Sequence, residues 1–349
     1  MNKLLINSMV AATLTLATVA SSFSHATVNS DATVNQASEI MVNDENFIRA
    51  DSNEQFAKYV KALGAFGKLH HNRGLYDLDN QITVRANLDT IYSFGVFDLS
   101  SPLTITMPNN EGKYQSLMSI SQDHSITSFY EGTHTLSEES IGSRYVFLAI
   151  RTFVDPADEA SLAQAHKLQN AITYKQANIG EFSVPTYDAK SLTAMRSKYN
   201  ALASKLPTTR GFFGDIKEID PTLHKYGAAY GWGGLPEKDA IYEGVTVAKN
   251  DGKTPYSLTV KDVPVDAFWS ISVYNKDGYY TKNEAGINVL NGVTSEKNAD
   301  GSVTINFGNK GAINNIDITE GWNYTIRLYQ PREAILSGEW TFPAATEVK

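Results

Sequence analysis

The chain has 349 residues, 42% hydrophobic and 19% charged, with 38 acidic against 30 basic residues and a formal net charge of −8. That composition is globular, and the acidic balance argues against a nucleic-acid backbone or an anionic membrane surface as the main partner. The chain has no cysteine, which excludes disulfides, thiol nucleophiles, Cys-ligated zinc and iron–sulfur centres.

Residues 1–26 read as a secretory leader. Lys3 is a short basic start, Leu4 to Ala20 is mostly apolar, and Ser24-His25-Ala26 predicts cleavage after Ala26. Loss of Lys3 leaves 29 basic against 38 acidic residues, a net charge of −9. No later segment is apolar over the width of a bilayer. A soluble, exported protein without a membrane anchor is expected, in the periplasm or outside the cell. Residues 27–75 hold a polar lead-in and then a helix. Ser52-Asn53-Glu54-Gln55 has the form of a capping box, and Phe56, Tyr59, Val60 and Leu63 follow at helical spacing toward Lys68.

Residues 76–155 read as a first β-domain. Ile82, Val84 and Ala86 alternate with polar residues. Further strands are expected at Ile91–Leu99, Leu103–Met107, Tyr114–Ile120, Ile126–Tyr130 and Tyr145–Val154, with turn chemistry at Asn109-Asn110-Glu111-Gly112. No helix interrupts them, so an antiparallel sandwich or barrel is expected rather than a parallel sheet. Residues 156–236 form a helical and Gly/aromatic connector. Asp155 and Pro156 read as N-cap and first helical residue before the stripe Leu162, Ala165, Leu168 and Ile172. Leu192, Met195, Tyr199, Leu202 and Leu206 form a second stripe, ended by Pro207.

Residues 237–349 return to β. Val245–Ala248, Tyr256–Val260, Phe268–Tyr274, Val303–Phe307 and Tyr324–Tyr329 are strand-like. Asn275-Lys276-Asp277-Gly278 leads by a hairpin to Tyr279-Tyr280, and Asn298-Ala299-Asp300-Gly301 is a second turn. The fold class expected is mainly β with a helical middle, α+β overall.

Common catalytic signatures are absent: no Gly-x-Ser-x-Gly elbow, no Ser-x-x-Lys pair, no His-Glu-x-x-His. Gly252-Lys253-Thr254 lacks the upstream glycine of a phosphate loop, and Gly227 to Gly234 lacks dinucleotide spacing. The densest polar cluster is Arg85-Ala86-Asn87-Leu88-Asp89-Thr90-Ile91-Tyr92-Ser93. Arg85 offers a bidentate grip on a carboxylate or phosphate, with Asn87, Asp89, Thr90 and Tyr92 converging on one ligand. The alternative is a turn in which Asn87 and Asp89 hold backbone amides and Arg85 pairs with a carboxylate, Asp89 itself if the chain folds back at Asn87-Leu88. The turn is favoured, because Asn and Asp dominate turns.

His70 and His71 lie near a predicted helix end. His124 and His134, with Asp123, Tyr130 and Glu131, offer ligand atoms in no standard spacing, so no metal site is assigned and no cofactor is expected. Tyr226, Tyr230 and Trp232 in the Gly-rich stretch could stack on a glycan or other flat ligand; gap-filling between domains is the favoured alternative.

RANLDTIYSFGVFDLS, KYQSLMSISQ and RYVFLAIRTFVDPADEASLAQAHKLQ together resemble the domain of unknown function 1254. YGWGGLPEKDAIY, VPVDAFWSISVYNKDGYY, NADGSVTINFG and GWNYTIRLYQPREAILSGEWTFP resemble the domain of unknown function 1214, which usually follows it in exported bacterial proteins. The resemblance implies an immunoglobulin-like β-domain, a helical middle and a C-terminal jelly-roll-like β-sandwich. It implies no established reaction. Its hallmark positions fall on Arg85, Asn87, Asp89, Thr90 and Tyr92, on Tyr230, Trp232, Gly233 and Gly234, and on Arg327, Tyr329 and Pro331. Many members carry longer stretches after the Asp-Gly hairpin and before the final strand; both are short here.

Two functions are compatible with these residues. One is a cell-envelope module that binds a small molecule or glycan at the domain junction, through Asn87, Tyr92, Tyr230, Trp232 or Arg327. The other is a hydrolase or lyase with Asp89 as base, Arg85 holding an anionic substrate, and His124 or Tyr230 as proton donor.

Overall fold

The computed structural model describes residues 39–81, 84–206 and 208–349. The leader with its predicted cleavage at Ala26, most of the lead-in, Ile82 and the helix stop Pro207 lie outside the described residues. In chain order, the first elements are α1 (Phe47–Leu63), β1 (His70–His71), β2 (Thr90–Asp98), β3 (Leu103–Met107), β4 (Gln115–Ser121), β5 (Ile126–Phe129), β6 (Gly132–Leu136), α2 (Glu138–Ile141) and β7 (Tyr145–Phe153). Then come α3 (Glu159–Ala171), β8 (Thr173–Gln176), α4 (Ala189–Ala203) and α5 (Pro221–Gly231). The last third holds β9 (Ala240–Val245), β10 (Tyr256–Val260), β11 (Trp269–Tyr274), β12 (Val289–Asn291), β13 (Val303–Phe307), β14 (Asn315–Ile316), β15 (Asn323–Tyr329), α6 (Glu333–Leu336) and β16 (Thr346–Glu347). The described chain is thus mostly β, α+β overall, with no barrel. Among the described residues no helix is long and apolar enough to cross a membrane.

A five-stranded sheet, β1-β2-β7-β4-β5, packs against the three-stranded sheet β6-β3-β8. Leu103, Ile105, Leu117, Val146, Leu148 and Ile150 fill the space between them. Every residue of β7 is buried, because the opposite face of the large sheet is covered too. Phe147 and Ala149 on that face meet Phe56 of α1 and, further along, Phe268 and Tyr329 of the C-terminal third. The second sandwich pairs β12-β11-β15-β9 with β14-β13-β10-β16. Its core takes alternate residues along the strands: Trp269, Ile271 and Val273 of β11, with Tyr324, Ile326 and Leu328 of β15. The intervening residues, Ser270, Ser272 and Tyr274 on β11 and Thr325, Arg327 and Tyr329 on β15, point away from that core and are nonetheless buried. The outer face of this sheet therefore closes against the five-stranded sheet, and ring pairs such as Phe153–Phe268 at 4.9 Å and Tyr114–Tyr329 at 5.1 Å seal the contact.

Several local expectations are corrected. Helix α1 starts at Phe47, and Ser52 and Asn53 lie buried inside it. They are tertiary contacts rather than caps: Ser52 Oγ accepts from Trp232 Nε1 at 3.2 Å, and Asn53 Oδ1 from Gln122 Nε2 at 2.7 Å. Helix α3 is capped by Asp158, not Asp155, which instead holds the Ala157 amide at 2.9 Å in the preceding turn. Residues 84–89 are a loop. Arg85 has a left-handed backbone (φ 53), and its N–H donates to the Gly278 carbonyl at 2.8 Å instead of to a sheet neighbour. The Asn275–Gly278 turn forms, yet the partner of β11 is β12 rather than Tyr279-Tyr280. The first C-terminal strand is Ala240–Val245, upstream of the Val245–Ala248 expected. The connector also holds a strand, β8, and helix α5, whose Asp220-Pro221 start is a cap followed by proline in the first turn.

Candidate functional site

Two central strands each place an arginine on the face that meets the other sheet. On β7, Arg151 lies directly between Tyr92 of β2 and Ser116 of β4. On β15, Arg327 lies between Ser270 of β11 and Tyr242 of β9. The result is two Tyr/Arg/Ser rows facing one another across the junction. Both guanidiniums are buried, at 7% and 4% exposure. Neither forms an ion pair with a carboxylate among the described residues.

The two arginines are held differently. Arg327 donates to Ser272 Oγ at 2.7 Å, to Tyr274 OH at 2.6 Å, and to the carbonyls of Arg85 and Ala86, both at 3.0 Å. It pins the 84–89 loop onto the C-terminal sheet. Arg151 donates to the Gly233 carbonyl at 3.2 Å and to Met118 Sδ at 3.7 Å, and lies 5.5 Å from the Tyr92 ring centroid. The phenols of Tyr92, Tyr242, Tyr114 and Tyr329 surround its charge. Gly233 has φ 79, where a side chain would be strained. That turn aims its carbonyl at Arg151 and its N–H at His124 Nε2, 3.1 Å away.

Asp89 is fully buried beside Arg327. Ser270 Oγ donates to one carboxylate oxygen at 2.6 Å, and the other has no hydrogen-bond partner among the described residues. Burial pushes this carboxyl up to about 6, against the opposing pull of Arg327 and the Ser270 and Asn291 side chains. Asn87 accepts the Asp89 amide at 2.8 Å and donates to Tyr329 OH at 2.9 Å, so it links the loop to the sheet. Burial raises the phenols of Tyr114 and Tyr242. For Tyr92 burial acts in the same direction, but Arg151, Thr90 and Arg327 outweigh it and hold the phenol below its ordinary value. Tyr92, Asn87, Tyr242 and Trp232 are half-buried, so the rim of the cluster reaches solvent while its arginines do not.

Of the residues singled out in the sequence, Asn87, Asp89, Thr90, Tyr92, Tyr329 and Arg327 come together here. Trp232 packs at the edge, 5.2 Å from Phe147. Arg85 is exposed and reaches Asn323 Oδ1 at 3.2 Å; it does not pair with Asp89. His124 lies behind the Gly233 turn, stacked 5.6 Å from His224, and burial, aided by His224, lowers it to about 3, so it is neutral. Tyr230 is exposed on α5, and Tyr226 packs 6.0 Å from Phe212. The histidine and acidic candidates are committed separately. Asp123 pairs with Arg49 at 2.5 Å, Glu131 accepts from Asn109 at 3.1 Å, His134 bonds the Tyr130 carbonyl at 2.8 Å, and His71 bonds Ser93 Oγ at 2.6 Å. No group of three or more acidic or histidine side chains spaced to hold a metal occurs among the described residues. Arg151, Tyr114, Tyr242 and Ser270 were not singled out. The available signal was Arg151 itself, a lone charge inside the apolar run Tyr145–Phe153.

Residues 66–139 match the family model described as protein of unknown function (DUF1254), and residues 243–333 match protein of unknown function (DUF1214). The chain thus carries both regions, in the order implied by the sequence motifs. No curated protein matches it. Among solved structures, it is similar to the VPA0106 protein from Vibrio parahaemolyticus, with a TM-score of 0.64 and 16% identity over 88% of this chain and 98% of that one. That likeness concerns the fold alone. An uncharacterised protein from Burkholderia cenocepacia aligns over 87% of this chain and 88% of its own, with a TM-score of 0.47 and 13% identity.

Proposed function

We propose that this is an exported protein that binds a small molecule at the junction between its two β-layers. The observation that carries this is the pair of facing Tyr/Arg/Ser rows, with Arg151 buried yet unpaired by any carboxylate among the described residues. A few convergent polar groups in an aromatic setting are what orient a small ligand. Export rests on the leader motif, with cleavage after Ala26 and release to the periplasm or medium. The division into a first β-domain at 76–155, immunoglobulin-like, and a jelly-roll-like sandwich at 237–349 rests on the strand patterns and the resemblance.

Thermal-shift titration of the full chain with small carboxylates, amines and neutral sugars tests the binding reading. At least one class is expected to stabilise the protein, and its effect should disappear in Tyr92→Phe/Tyr242→Phe. Stabilisation untouched by that variant, or by no class at all, contradicts the reading. A second reading, a hydrolase or lyase using Asp89 as base, is favoured by the raised Asp89 carboxyl and its open oxygen. Arg85, first expected to hold the substrate, reaches Asn323 instead, and of the expected proton donors His124 holds Gly233 and Tyr230 is exposed on α5, so Tyr92 would serve as the proton-carrying group.

A further inference from the structure

Arg151 is a buried cation without a counter-charge of its own. Its hydrogen bonds go to the Gly233 carbonyl at 3.2 Å and to the Met118 thioether at 3.7 Å. A guanidinium has five N–H donors and a thioether is a weak acceptor, so these contacts leave much of its capacity to phenols. Buried charges are ordinarily paired. Elsewhere two buried carboxylates of the chain are paired with arginines: Asp98 with Arg144 at 2.7 Å, and Asp51 with Arg196 at 2.6 Å. The junction carboxylates are engaged elsewhere. Asp89 takes the Ser270 hydroxyl at 2.6 Å, and Asp239 takes the Tyr130 hydroxyl at 2.7 Å. Tyr92, whose phenol Arg151 stabilises toward its charged form, is half-buried, with its ring centroid 5.5 Å from the guanidinium.

We propose that the junction binds the carboxylate group of a small organic acid, with Arg151 as its counter-charge and the Tyr92 hydroxyl as its second partner. This rests on the junction being the binding site and names the class of ligand. Arg151 presents its fork from a rigid central strand, which suits a planar carboxylate. Tyr242 and Trp232 at the rim suit a flat apolar body attached to that carboxylate. Benzoate is the simplest such probe, and benzamide has the same shape without the charge.

The test uses the full chain at pH 7 and constant ionic strength. Benzoate at millimolar concentration is expected to raise the melting temperature by several degrees, and benzamide to leave it unchanged. The response should vanish in Arg151→Met and persist in Arg332→Met, which removes only an exposed ion pair with Asp266. A second readout needs no Arg151 variant. Benzoate beside Arg151 should move the earliest tyrosine ionisation, followed at 295 nm, to higher pH, and Tyr92→Phe should remove that step. Equal responses to benzoate and benzamide, a benzoate response that survives in Arg151→Met, or no benzoate response in the wild type overturns the proposal. Stabilisation by a neutral sugar through Tyr92 and Tyr242, without a benzoate response, overturns the acid and leaves the junction as the site. No stabilisation by any compound removes both.

Discussion

Replacing Arg327 with alanine is expected to lower the free energy of unfolding by about 3–5 kcal/mol. The guanidinium holds two backbone carbonyls, Arg85 and Ala86, at 3.0 Å each, and two buried hydroxyls, Ser272 and Tyr274. Its loss leaves the Arg85 carbonyl without its donor, strips one donor each from Ala86, Ser272 and Tyr274, which keep only the Tyr274 and Tyr280 hydroxyl contacts, and removes the cation beside buried Asp89. Since a domain is typically stable by only ~5–15 kcal/mol, this one change removes a large share. Urea unfolding measures it directly. A loss below about 1 kcal/mol would mean that the 84–89 loop is held by something else.

The second large effect is the pH dependence carried by Asp89. Its carboxyl sits at about 6 in the folded protein. An unfolded aspartate titrates near ~3.9. The folded state therefore keeps a proton that the unfolded state has released across that window. The neutral carboxyl's contribution is fully present below about pH 4 and is lost as pH rises through about 6, a difference of roughly 3 kcal/mol. Asp89→Asn mimics the protonated form at every pH and still accepts from Ser270. Relative to the wild type it is expected to gain about 3 kcal/mol between pH 4 and pH 7. Parallel stability profiles for the two proteins would show that Asp89 is already charged in the fold.

The strands were legible where burial is one-sided or complete. Leu103–Met107, Tyr256–Val260 and Val303–Phe307 alternate as half-covered strands do, and their bounds match the structure. Polar residues at buried contacts misled. Ser52 and Asn53 look like a helix start because their chemistry suits a cap, and only the fold shows that Trp232 and Gln122 need them. Strand β8 carries no apolar alternation, because it is an exposed edge whose pairing with β3 comes from the backbone. Part of the candidate site was readable: Asn87, Asp89 and Tyr92 sit in one polar cluster, and Arg327 was reached through the family resemblance. Arg151, Tyr114 and Tyr242 were not, because each lies in a hydrophobic strand and becomes polar-site material only when two sheets meet. Arg85 and His124 drew notice by type, but one points to Asn323 and the other holds Gly233 from behind.

The central claim is that Arg327 serves the fold while Arg151 serves a ligand. Urea unfolding of Arg151→Met, set beside Arg327→Ala, tests it most directly. Methionine fills similar volume, and the change leaves no ion-paired carboxylate behind. Replacing a buried cation by a packed apolar side chain is then neutral or stabilising. The expected result is an unfolding free energy equal to or above that of the wild type, within about 1 kcal/mol, together with loss of the benzoate response. A loss as large as that of Arg327→Ala would place Arg151 in the structural framework and contradict the account.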